Sequence, residues 1–236
     1  MSKIIKIILI LTVAAGIGLA LGFKNREVEV QVFAPNGQTA ETSFVLRSSQ
    51  LDQSSLSQQL ENLPWFISRA SAITAYLLMF VVIFWGAGMT MGFIYVIANP
   101  VEAWVIHKYL SLAMGATLLI HILSLLYDKF INFKIFDILI PFYSAYKPLY
   151  LSLGIIGFYL LLIIIFTSLL IRLKLPRFWR ATHYLVYVLF IFSIVHGIFL
   201  GTDTKTLAMR SVYWITGVMF FLLLSYRFYW SYKNRA

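Results

Sequence analysis

The sequence predicts an all-α membrane protein: a six-helix transmembrane bundle with a small extracytoplasmic β-hairpin. Three observations predict it. Hydrophobic residues make up 61% of the chain and charged residues 12%, with a mean hydropathy of +0.84. That is outside the range of soluble domains, where apolar usage is nearer about one half. Six apolar stretches approach or reach the roughly 20 residues that carry a helix across a bilayer. A single long polar segment, Lys24 to Asn62, separates the first of these stretches from the rest. The expected organisation is a first transmembrane helix over 1–23, an extracytoplasmic loop with a hairpin over 24–63, and a five-helix core over 64–236.

The first span runs from Ile4 to Gly22 behind Lys3 and Lys6. Its length lies on the border between a signal-peptide core and a retained anchor, and retention is the expectation. In the polar segment, Val28, Val30 and Val32 alternate with Glu27, Glu29 and Gln31, Pro35-Asn36-Gly37 is a turn signal, and Thr42 to Arg47 returns as a second strand. Leu51, Leu56, Leu60 and Leu63 then recur with helical rhythm, predicting a short amphipathic helix that ends at Pro64.

The second span covers Phe66 to Gly86, with Arg69 one turn inside its start, and Asn99-Pro100 marks the turn before the third, Glu102 to Tyr127. Asp128 to Lys147 is a mixed aromatic and basic loop of interfacial type. Leu149 to Ile171, Phe178 to Leu200 and Ser211 to Tyr229 complete the set. With six spans, Lys3, Lys6, the Arg172–Arg180 cluster, Arg227, Lys233 and Arg235 share one side, which the positive-inside rule makes cytoplasmic. The expectation is therefore a multi-pass cell-membrane protein in contact with lipid, both termini cytoplasmic. The net charge of +10 belongs to this topology and does not indicate nucleic acid. The chain contains no cysteine, which excludes disulfides, iron–sulfur and thiolate-zinc sites, covalent haem attachment and thiol catalysis.

All four histidines lie inside apolar spans: His107 and His121 on the third, His183 and His196 on the fifth. An intramembrane ionisable group is costly and marks function by default. His107 and His121, 14 residues apart, are separated by about 21 Å along a helix and fall within about 40° of one face. For His183 and His196, 13 residues apart, the offset on an ideal helix is about 140°. The fifth span is therefore expected to kink, to tilt, or to serve two sites from different sides. Because the third and fifth spans run parallel, His107 matches His183 in depth on the inner side and His121 matches His196 on the outer. Ligands about 20 Å apart on each helix cannot converge on one zinc or copper ion. Two haem b groups fit the pattern, since paired imidazoles at each depth supply both axial ligands and favour electron transfer over oxygen binding. Arg69 is a candidate to compensate the propionates of the outer haem, and Lys108 and Arg180 those of the inner one. The other reading is a non-redox membrane protein whose histidines tie helices together.

Several motifs resemble the ferric reductase-like transmembrane domain. They are Ser68-Arg69-Ala70-Ser71-Ala72, Trp104-x2-His107-x13-His121, Lys147-Pro148-x5-Gly154, Phe166-Thr167-Ser168 and Trp179-x3-His183-x12-His196, together covering Ser68 to Gly197. The resemblance implies electrons passing from a cytoplasmic flavin through an inner and an outer haem to an extracytoplasmic acceptor such as ferric chelate, oxygen or a protein. No glycine-rich nucleotide loop follows Trp230. The donor is therefore expected to be a separate cytoplasmic flavoprotein reductase, bringing FMN or FAD, or membrane quinol, and no catalytic residue is assigned. The chain is also similar in size, and over Lys147 to His196, to the single-haem membrane subunit of methionine sulfoxide reductase systems. The presence of His107 argues for two haems instead.

Overall fold

The computed structural model describes residues 7, 10, 12–17, 40–129 and 131–234, with backbone alone over 40–61. Residues 7, 10 and 12–17 are helical, and the other residues of the expected first span lie outside the described residues, as do the Val28–Val32 strand and the Pro35–Gly37 turn. The remaining elements are α1 (Ala40–Met91), a 3-10 turn (Phe93–Val96), α2 (Pro100–Leu125), the short α3 (Ile135–Leu139) and α4 (Pro148–Phe166). After a π turn (Thr167–Ile171) come α5 (Pro176–His183), α6 (Leu185–Leu200), a second 3-10 turn (Thr202–Lys205) and α7 (Leu207–Lys233).

Among the described residues, five segments are long and apolar enough to cross a membrane: Asn62–Met91, Pro100–Leu125, Pro148–Ile171, Pro176–Leu200 and Leu207–Lys233. The protein is a multi-pass membrane protein, all-helical over the described residues. The expected second strand is corrected: Thr42–Arg47 lies within α1, a helix of 52 residues that also absorbs the separate amphipathic helix expected before Pro64. Six residues of β-branched and aromatic character are a weak local preference. They are flanked by Ala40 and Glu41 on one side and by a leucine, glutamine and serine stretch on the other, whose helical rhythm extends through them. Pro64 costs the helix one backbone bond without ending it.

Local signals set the helix starts. Asn99 caps α2 through a reciprocal capping box with Glu102, with Pro100 at the first helical position. Gly92, at φ 89°, turns the chain out of α1 in a conformation that favours glycine. Thr206 accepts the Met209 amide and caps α7. The core lies where α1 meets α2 and α7 and where α4 meets α6, around the fully buried Leu78, Ile106, Leu110, Phe190 and Phe220. Phe190 stacks on Tyr76 at 5.6 Å and packs on Phe220 at 4.6 Å between ring centres. In lipid the packing contacts, more than transfer from water, hold such a core. Phe190→Ala is expected to cost about 3 kcal/mol, read as a lowered thermal midpoint of the purified protein in detergent.

Consecutive spans alternate in direction, so α2 runs parallel to the α5–α6 span. His107 is the eighth residue of the segment Pro100–Leu125 and His183 the eighth of Pro176–Leu200. The two enter the bundle at the same depth. The Pro176–Leu200 span is interrupted immediately after His183, where Tyr184 separates α5 from α6 and the Tyr187 amide bonds the Tyr184 carbonyl three residues back. The 13-residue spacing calls for a kink, a tilt or two sites served from different sides; the α-helical run is interrupted at Tyr184, whose φ of −65° and ψ of −19° stay in the right-handed helical region.

Candidate functional site

The histidines meet in two pairs, at two depths. His107 on α2 and His183 at the end of α5 have ring centroids 6.2 Å apart, with 60° between the ring planes. Among the described residues the buried Nδ1 of His107 makes no hydrogen bond of good geometry, and the Val82 backbone is the polar group its ring interacts with. A Cβ on Gly86 of α1 would come within 3.0 Å of the His107 ring, so glycine gives that imidazole its seat. His183 is set by the π turn at the end of α4. Ser168 Oγ lies 3.5 Å from His183 Nδ1 and accepts from Trp179 Nε1 at 3.1 Å, while Thr182 Oγ1 donates to Thr167 Oγ1 at 3.1 Å. A π turn places one residue more per turn than an α-helix. Here it presents Thr167 and Ser168 to α5.

At the other depth, His121 Nδ1 donates to the Ser68 carbonyl at 3.0 Å and lies 3.1 Å from Ser68 Oγ. His196 Nδ1 donates to the Tyr150 carbonyl at 2.9 Å. Each bond fixes the tautomer: the proton sits on Nδ1, and Nε2 keeps its lone pair for an external partner. A Cβ on Gly154 of α4 would overlap the His196 ring, so α4 and α6 approach closely there. Lys147, held at φ 41°, donates from Nζ to the Phe199 carbonyl at 2.6 Å, and Tyr150 stacks on Phe199 at 4.2 Å. These contacts tie the start of α4 to the end of α6 and place the Tyr150 carbonyl under His196.

His121 and His196 both line a cavity of about 280 Å³. Its walls are mostly apolar, including Met79, Met114, Leu118, Leu161 and Leu189, with Ser68, Arg69, Asp203 and Tyr213 among its polar groups. A mainly apolar pocket with a few convergent polar groups is the usual form of a cofactor site.

The remaining sequence candidates fall elsewhere. Arg69 reaches the cavity wall, but Asp203 holds it in an ion pair. Lys108 is exposed, with its ammonium 5.5 Å from the centre of the Trp104 ring. Arg180 is exposed and bonds the Pro176 carbonyl of its own helix. Neither is brought to the histidines by a hydrogen bond or ion pair among the described residues. Sequence reasoning missed Asp203 and the Ser68 and Tyr150 carbonyls. Asp203 had a signal: a lone arginine inside an apolar span needs a counter-charge, and few acids lie at that end of the bundle.

Neither a curated protein nor a solved structure matches the chain. A family model described as the ferric reductase like transmembrane component matches residues 70–194. That match begins one residue after Arg69, takes in α2, α4, α5 and the break at Tyr184, and includes His107, His121 and His183. It spans more than half of the 236 residues, and the chain therefore belongs to the ferric reductase-like transmembrane component family.

Proposed function

We propose that the protein is a transmembrane electron-transfer protein holding two b-type haems, one between His107 and His183 and one between His121 and His196. Ferric reductase-like transmembrane domains generally bind haem, and the residues here fit that group. Two imidazoles on opposite sides of one metal, with bonds of about 2.0 Å and ring centres about 1.1 Å beyond each nitrogen, would have centroids about 6.2 Å apart. The 6.2 Å between the His107 and His183 centroids carries the reading. At the second pair, both Nδ1 protons are committed to backbone carbonyls, which leaves Nε2 as the ligating atom. Gly154 and Gly86 supply the room that the rings need.

Haem held by these histidines would supply a one-electron carrier. The chain does the rest. The Ser68 and Tyr150 carbonyls hold the rings in one tautomer, and the apolar cavity wall excludes water. The two depths, about 20 Å apart along α2, divide the crossing of the bilayer into two shorter transfers. On this reading the basic Arg172–Arg180 end is cytoplasmic and faces the donor, a flavoprotein carrying FMN or FAD, or quinol. The cavity end faces an extracytoplasmic acceptor such as ferric chelate, oxygen or a partner protein.

The test is a reduced-minus-oxidised absorption spectrum with a haem-to-protein ratio on the purified, folded chain. Two haems per chain are expected, and none in well-folded protein would overturn the proposal. His107→Ala is expected to halve the haem content. If it leaves the content unchanged, the chain carries one haem, as in the single-haem membrane subunits of methionine sulfoxide reductase systems.

A further inference from the structure

The wall of the cavity carries a charged pair that haem ligation does not use. Arg69 Nε donates to Asp203 Oδ2 at 2.8 Å, the second guanidinium nitrogen engages Oδ1, and Arg69 Cζ lies 4.0 Å from the centre of the Trp65 ring. The two side chains are 13% and 11% exposed. Among the described residues lining the cavity, Arg69 is the one lysine or arginine, and Asp128 and Asp203 are the acids. The sequence offers Arg69 as a free cation for a propionate. A guanidinium held bidentately by a carboxylate is no longer one.

The pair is built into both ligand-bearing segments. Ser68, whose carbonyl takes the His121 proton, precedes Arg69 on α1. Asp203 sits in the 3-10 turn that follows α6, the helix of His196, and its carbonyl accepts the Thr206 hydroxyl that caps α7. Its position is therefore fixed by backbone on both sides.

We infer that Asp203 is a positioning residue that holds Arg69 as a neutralised pair and thereby keeps the reduction potential at the His121–His196 site low. The inference rests on the haem reading above. Reduction adds one negative charge to the site. In a poorly screened interior a bare cation on the wall stabilises that charge, a bare anion opposes it, and a closed pair does little of either. Asp203 thus decides how much of the Arg69 charge the site feels. Asp128, buried on the same wall, is left unaltered in every variant below.

The experiment is a potentiometric titration of the haem-loaded full chain in detergent, following the component that survives in His107→Ala. Asp203→Asn is expected to shift the reduction equilibrium about tenfold toward the reduced form, about 59 mV upward for a one-electron couple. Arg69→Gln is expected to shift it downward, the double variant to return toward the wild type, and Asp203→Glu, which keeps the charge, to stay near it. The component lost in His107→Ala is expected to be unmoved by all four. Loosened packing moves both single variants the same way, and that outcome, or no shift, overturns the inference. If Asp203→Asn fails to retain haem, the sign of the Arg69→Gln shift decides alone. A wild-type chain without haem is a different failure, that of the haem reading itself, and removes both.

Discussion

Replacing His196 by alanine is expected to lower the haem content from two per chain to one, and to leave the His107–His183 component of the spectrum in place. His196 is the α6 half of its pair, and its ring is fully specified before any ligand arrives, by the 2.9 Å bond to the Tyr150 carbonyl. On the proposed reading alanine removes a ligating nitrogen, and the mainly apolar cavity, about 280 Å³ with His196 in place, keeps one imidazole, that of His121. On that reading both histidines of the pair would be needed to hold the haem. The tie between α4 and α6 survives, because Lys147 still donates to the Phe199 carbonyl and Tyr150 still stacks on Phe199. The variant should therefore fold, and pyridine haemochrome quantitation against protein concentration measures the loss. An unchanged ratio would remove His196 from the ligand set.

Gly154→Val is expected to lose the same haem without removing any ligand. The Cβ position at Gly154 is already occupied by the His196 ring. A branched side chain there forces the imidazole away from the Tyr150 carbonyl or pushes α4 off α6, and packed interiors do not absorb such an overlap without distortion. Gly115 provides the control. A Cβ there meets Ile165 Cδ1 at 3.6 Å, an ordinary contact, and Gly115→Ala on α2 should keep both haems and stabilise the chain by about 0.4–1 kcal/mol. Equal haem content in Gly154→Val and wild type would mean that the close approach of α4 to His196 does not govern the site.

Hydropathy made the spans legible, because lipid imposes a length and an apolar character on each of them. Histidine depth was legible for the same reason: in a bundle of alternating spans, position along the sequence is position across the membrane. The 13-residue spacing between His183 and His196 pointed to an irregular helix, and the α-helical run is interrupted at Tyr184 between them. What stayed hidden belongs to the backbone or to long-range pairing. The Ser68 and Tyr150 carbonyls orient two histidines, yet a carbonyl has no letter in the sequence. Asp203 reads as a turn residue until the fold brings it to Arg69 across 134 positions. Thr42–Arg47 reads as a strand because six residues carry too little information against the helix on either side.

The break at Tyr184 also sets a rule for design. A two-site relay drawn on unbroken helices would need 14 residues between ligands on both, as on α2, where the drift of about 40° is small enough for neighbouring helices to follow. Transplanting the 13-residue span onto an ideal helix would turn one ligand about 140° away from its partner. In this chain the shorter spacing occurs across the interruption at Tyr184, so the unit to graft is α5, Tyr184 and α6 together with the π turn beside them.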